Sequence, residues 1–190
     1  MTDVLKSRLY RICEVIARII YGMGLFVIGA IPLFTFGTSF CAMLETFKYS
    51  DKKVGSVFFR AYKRNFFRSW SVLIFNGFSL LFILQTQYIF YNIPMRGLVN
   101  LFVISFLVAY NINAYLLLGA IKKINIVFFR EVFIFTIMTF HKSFLIPSGT
   151  LVFLFVLPII GMARLLILVI PVILYGYVKM IEKEMRTFAV

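Results

Sequence analysis

Residues 52–70 read KKVGSVFFRAYKRNFFRSW, the most basic stretch of the chain. Lys52, Lys53, Arg60, Lys63, Arg64 and Arg68 follow one another with no acid after Asp51, and aromatics ending in Trp70 fill most of the gaps. Taken alone, positive charge among aromatic rings suits a nucleic acid as well as an anionic lipid surface. The flanks decide between them, because long apolar runs lie on both sides. Phe58, Tyr62 and Phe66 recur at every fourth position, which places three rings on one helical face. The spacing therefore predicts an interfacial helix over 54–68. Its rings would dip into the acyl region, and Arg60, Lys63, Arg64 and Arg68 would reach anionic headgroups on the cytoplasmic side.

Composition supports that choice. Of 190 residues 62% are hydrophobic and 14% charged, 24 are Phe, and mean hydropathy is +0.98. A soluble domain is about 45–50% apolar and about 25% charged. A soluble fold of this size has no interior large enough for so much apolar surface, so lipid must solvate much of it. The net charge of +13 comes from twenty Lys and Arg against seven acids. These cations cluster at the ends of apolar runs, the pattern of the positive-inside bias, which argues against nucleic acid as a partner. Cys13 and Cys41 lie in apolar surroundings without CxxC spacing and read as small buried side chains, with no metal site. Glu14 and Arg18 interrupt the first apolar run, unlike a cleaved signal peptide, so that run is expected to be retained.

A crossing helix needs about 20 largely apolar residues to span a core about 30 Å thick. The first is expected from Ile12 to Ala30, with Glu14 and Arg18 four apart on one face and able to pair. Pro32 breaks it, and Thr35, Gly37, Thr38 and Ser39 form a small polar patch opening a second helix that runs to about Lys48. The N-terminus and the 48–68 segment are both basic, hence both cytoplasmic, which favours a tight hairpin turning near 30–32. Further helices are expected over 69–91 and 98–121, joined by an external turn at 92–97, then over 124–144, 150–160 and 165–181. Val57-Phe58-Phe59-Arg60 returns as Val127-Phe128-Phe129-Arg130, and Arg60 to Arg96 spans much the same distance as Arg130 to Arg164. This suggests a parallel repeat over 53–121 and 123–182. The expected fold is all-α: one integral membrane domain over 1–190, with five to six transmembrane helices, two interfacial helices and both termini cytoplasmic.

No catalytic constellation can be assembled, and no cofactor or metal ligand set is evident. His141 is the single histidine, beside Lys142, and reads as a headgroup or solvent contact. The acids (Asp3, Glu14, Glu45, Asp51, Glu131, Glu182 and Glu184) sit toward helix ends, which argues against an ion-driven transporter. The interior instead holds amides. Asn76 lies on the helix over 69–91 and Asn111 and Asn113 on the next, where an antiparallel hairpin would let Asn76 pair with one of them. They form either a polar patch for a sugar or partner, or hydrogen bonds within the bundle. A second polar group, Arg96, Asn100 and Arg164, is expected at the outer face.

The element VIGAIPLFTFGTSFCAMLETFKYSDKK followed by VFFRAYKRNFFRSWSVLIF resembles the signature of the YesL-like family of small bacterial membrane proteins. The shared phrase runs from Phe58 to Ser69, and residues 26–75 carry the specific part. Leu33 stands where the family usually has a small residue after the proline. The family is a domain of unknown function, encoded beside carbohydrate-uptake ABC transporters in Firmicutes. The resemblance implies a non-enzymatic accessory subunit in the bacterial cell membrane, touching the permease subunits of an oligosaccharide ABC importer. Two other expectations stand beside it: a stand-alone substrate-binding component like the six-helix subunits of vitamin importers, and a membrane sensor or regulator.

Overall fold

The computed structural model describes residues 2–49, 52–89, 96–121, 124–142 and 166–188. Its elements are α1 (Thr2–Ala30), a 3₁₀ turn (Leu33–Thr35), α2 (Phe36–Lys48), α3 (Val54–Asn65), α4 (Arg68–Ile89), α5 (Arg96–Leu118), α6 (Ile126–Met138) and α7 (Leu166–Phe188). The chain is all-helical, with no strand among the described residues. Two helices there are long and apolar enough to cross a membrane: Leu9–Ala30 and Gly97–Leu118, with mean hydropathies of 1.8 and 2.0. The helix expected over 150–160, the turn holding Arg164 and most of the 92–97 turn lie outside the described residues.

Helix α2 is the hub, packed by α1, α3, α4, α5 and α7. From Gly37 to Phe47 every residue but the half-buried Phe40 is buried. Its sequence explains how a short helix takes so many neighbours: Gly37, Thr38, Ser39, Cys41 and Ala42 keep it narrow, so other backbones approach closely. At about 1.5 Å per residue its 13 residues reach about 20 Å, less than a full bilayer core. Helices α1 and α2 form the antiparallel hairpin expected from the break at Pro32. Its turn is fixed by Thr35, whose hydroxyl donates to the Gly29 and Pro32 carbonyls at 2.6 and 2.7 Å. Close approach requires glycine at Gly29, where a side-chain carbon would stand 2.7 Å from Ser39 Oγ.

The far end of α2 exposes the carbonyls that any helix leaves unsatisfied in its last turn. Arg18, buried on α1, donates to the Thr46, Tyr49 and Lys52 carbonyls at 3.3, 2.7 and 3.2 Å. Lys179 from α7 reaches the Lys48 carbonyl at 3.4 Å. Cations at a helix C-terminus also meet the negative end of its dipole. The expected Glu14–Arg18 pair forms at 3.8 Å, and the burial of Arg18 comes from the α2 carbonyls it caps.

Helix α3 departs from expectation. It runs alongside α1: the Tyr21 hydroxyl lies 3.5 Å from where a Cβ on Gly55 would stand, and the Tyr62 ring 3.4 Å from that of Gly29. Its apolar face is Val57, Phe58 and Ala61, all buried, with Phe58 and Ala61 in the core cluster. Phe58 is 2% exposed while Tyr62 and Phe66 are half-buried, so of the three rings expected to dip into lipid Phe58 is taken up by the protein core. The residues that α3 does turn outward are Ser56, Phe59, Arg60, Lys63 and Arg64.

The remaining differences are of extent and exposure. Helix α1 begins at Thr2 and so takes in the basic lead-in, and α7 continues through the charged cap to Phe188. Lys179–Glu182 at 3.1 Å and the Lys142–Glu184 pair support that last stretch. Helix α6 is capped at its start by Asn125, whose side chain accepts from the Phe128 amide at 3.0 Å. Cys41 is buried as expected; Cys13 is exposed on α1.

Candidate functional site: a buried charge cluster, an amide network and an apolar cavity

The basic segment divides into two sets of residues. Lys52, Lys53, Arg60 and Lys63 are exposed, and Lys52 stands over the Tyr49 ring at 4.9 Å. Trp70, 44% exposed, lies against Phe34 of the α1–α2 turn with ring centres 6.2 Å apart. Arg64, its side chain 44% exposed, and the half-buried Arg68 instead reach protein partners. Arg64 pairs with Glu45 of α2, a carboxylate 9% exposed that Asn65 also donates to at 3.4 Å. Arg68 donates to Asn65 Oδ1 at 3.2 Å and to the Ile121 carbonyl beyond the end of α5. Asn65 touches Cys41 Sγ at 3.4 Å, and that thiol donates to the Tyr115 carbonyl at 3.3 Å.

Charge, amide and thiol therefore join α2, α3, α4 and α5 in one cluster. A buried carboxylate needs a cation and further donors to offset its lost hydration, and Arg64 with Asn65 supplies both. Arg64 and Arg68, expected to meet phosphates, are committed to protein partners. The sequence offered a signal for this: Asn65 and Ser69 are polar residues among aromatics, and both are buried. Thr38 and Ser69 complete the joint, oxygen to oxygen at 2.6 Å.

The amides also pair differently from expectation. Asn76 donates to the Tyr115 hydroxyl at 2.8 Å, and to neither Asn111 nor Asn113. Positions 113 and 115 of a helix lie about 200° apart, so when Tyr115 faces α2 and α4, Asn113 faces away. There Asn113, fully buried, donates to Thr136 of α6 at 3.1 Å and accepts from the Tyr177 hydroxyl of α7. Within the bundle this is a structural network. The half-buried Asn111 and the buried Asn100 and Ser105 have a side-chain oxygen (Oδ1, Oδ1 and Oγ) with no hydrogen-bond partner among the described residues. Arg96 opens α5, while Arg164 lies outside the described residues, so the expected outer-face group reduces to Asn100 and the position of Arg96.

Outside the apolar helix runs, Lys142 donates to Glu184 and holds that carboxyl below the usual carboxylate range. His141 is exposed. No group of His, Cys, Asp and Glu suited to a metal occurs among the described residues.

A cavity of about 380 Å³ opens between α1, α2 and α7. Its lining is wholly apolar: Met23 and Phe26, then Phe36, Phe40 and Met43, then Ile170, Pro171 and Leu174. Pro171 sits inside α7, where its ring removes a backbone hydrogen bond and crowds the preceding turn. Another recess, about 500 Å³, is a shallow groove where Glu14, Arg18 and Tyr21 face Lys53–Ser56 at the start of α3.

No family model, curated protein or solved structure matches this chain.

Proposed function

We propose that the chain is a multi-pass protein of a bacterial cell membrane that serves as a non-enzymatic accessory subunit beside the permease of a carbohydrate ABC importer. The observation that carries the membrane part is the state of α1. Its apolar stretch Leu9–Ala30 is only 17% buried, leaving Ile12, Ile16, Ile20, Val27 and Ile28 outside the protein. Unpaired apolar surface of that extent needs lipid or another apolar helix over it. Helix α4 adds Phe78, Leu80, Leu81 and Phe82, and α6 adds Phe133, Ile134 and Ile137. In this reading both termini and the outward cations Lys52, Lys53, Arg60 and Lys63 are cytoplasmic, the cations against anionic headgroups. The accessory role rests on the resemblance of residues 26–75 to the YesL-like family.

Affinity purification of the tagged chain in mild detergent tests the role. Permease and ATPase subunits should co-purify at fixed ratio; their consistent absence would sink it. A second reading, a solute-binding transport component, is favoured by Asn100 near the start of α5, which buries an amide oxygen with no partner among the described residues. A buried polar atom of that kind is costly unless something donates to it. Under this reading a sugar or vitamin stabilises the protein against heat and Asn100→Leu abolishes the effect. A flat response across a solute panel counts against it.

A further inference from the structure

We infer that the cavity between α1, α2 and α7 holds one acyl chain of an anionic membrane phospholipid. The lining decides the chemistry. Eight apolar side chains and no polar atom face the space, so a sugar, nucleotide or charged group placed there would lose its hydrogen bonds without replacement. Volume narrows the choice further. An apolar cavity of about 150 Å³ stays dry and takes a single benzene ring. At about 380 Å³ this one accommodates a chain of many carbons, yet it is far too small for a whole phospholipid.

The surroundings give the direction of approach. Phe36 on the rim is 42% exposed, Val27 beside the α1 wall 54% and Val172 beside the α7 wall 55%. The cavity therefore opens among apolar side chains, and its occupant arrives from an apolar phase. Two of its walls then lead to cations at the same end. Met43 to Lys48 on α2 and Leu174 to Lys179 on α7 are each five residues, about 7.5 Å of helix rise. The Lys179 ammonium lies 3.4 Å from the Lys48 carbonyl, so the two walls run parallel and converge there. Lys179 is shared with Glu182 at 3.1 Å and the Lys48 ammonium stands over the Tyr49 ring at 5.8 Å, so two cations face one acid and a phosphate would complement the remaining positive charge. Between cavity and cations the Phe47 and Tyr175 rings meet edge to face at 5.6 Å, an apolar step from chain to headgroup.

This inference draws on the membrane reading for the source of the lipid, but the cavity itself belongs to the fold. The test uses the full chain in detergent, delipidated and then given dioleoyl phosphatidylglycerol or dioleoyl phosphatidylcholine, with bound lipids counted by native mass spectrometry. One phosphatidylglycerol should be retained in preference to phosphatidylcholine. Leu174→Phe and, on the opposite wall, Met23→Phe each fill the space. Each should weaken retention by about tenfold, what losing two buried methylene contacts amounts to. Lys48→Gln with Lys179→Gln should erase the preference between headgroups. Circular dichroism of each variant verifies that its helices form. Unchanged retention in both filled variants overturns the cavity assignment, and equal retention of the two lipids overturns the headgroup assignment. Because the lipid is added to purified protein, a missing permease partner leaves this result unaffected.

Discussion

Glu45 rests its carboxylate against the bare backbone of Gly119, while Arg64 and Asn65 hold it from the other side. One short helix and the end of another are thus locked at a point where only glycine leaves room. A methyl group at Gly119 would overlap the carboxylate, and Glu45 cannot swing away without breaking its pair with Arg64.

Gly119→Ala should destabilise the protein by about 1–3 kcal/mol, the usual cost of an overpacked contact. The check is the thermal midpoint in detergent, read by circular dichroism. In a Glu45→Ala background the same alanine should cost much less, with a coupling of about 0.5–3 kcal/mol in a double-mutant cycle. Additive effects would mean that the two residues do not constrain each other.

Neighbouring cations in the basic segment should behave differently. Arg64→Ala leaves a nearly buried carboxylate with Asn65 alone and should cost about 2 kcal/mol of stability, in the range for hydrogen bonds to charged groups. Lys63→Ala, which removes an exposed side chain, should stay within about 0.5 kcal/mol. Flotation with phosphatidylglycerol liposomes should show the reverse order if Lys63 is the residue that meets headgroups. Equal stability losses would return both residues to the same surface role.

Asn113→Ala and Tyr177→Phe both break the network joining α5, α6 and α7, and each should cost about 1–3 kcal/mol. Their effects should fall short of additive, since they share a hydrogen bond. Asn111→Leu provides the contrast. Its amide oxygen has no partner among the described residues, so removing it from an apolar setting should be neutral or stabilising. Thermal melts of the four proteins give the answer.

Much of the element order was legible because it depends on short-range chemistry. Pro32 and the small residues after it marked the α1–α2 turn, and the apolar runs gave α4 and α5 to within three residues at each end. What escaped was the direction in which α3 faces. Its charge and its Phe58-Tyr62-Phe66 rhythm suit a lipid surface, and the same rings suit a groove between α1 and α2. Only the tertiary arrangement distinguishes these, since both environments are apolar. The partner of Asn76 escaped for a related reason: the rotation of α5 about its axis selects Tyr115 over Asn113, and that rotation is set by packing against α2. Glu45 looked like an ordinary acid near a helix end. Its role depends on Arg64 and Gly119, 19 and 74 positions away.

The account turns on α1 lying with its outer face in lipid. With Cys13 and Cys41 replaced by alanine, single nitroxide labels at Ile16, Ile20, Val27 and Ile28 can be read in liposomes by electron paramagnetic resonance. All four should collide with dissolved oxygen, enriched in the bilayer core, and hardly at all with a water-soluble nickel chelate. Ready collision with the chelate at Ile20, Val27 and Ile28 would place α1 in water and contradict the membrane reading.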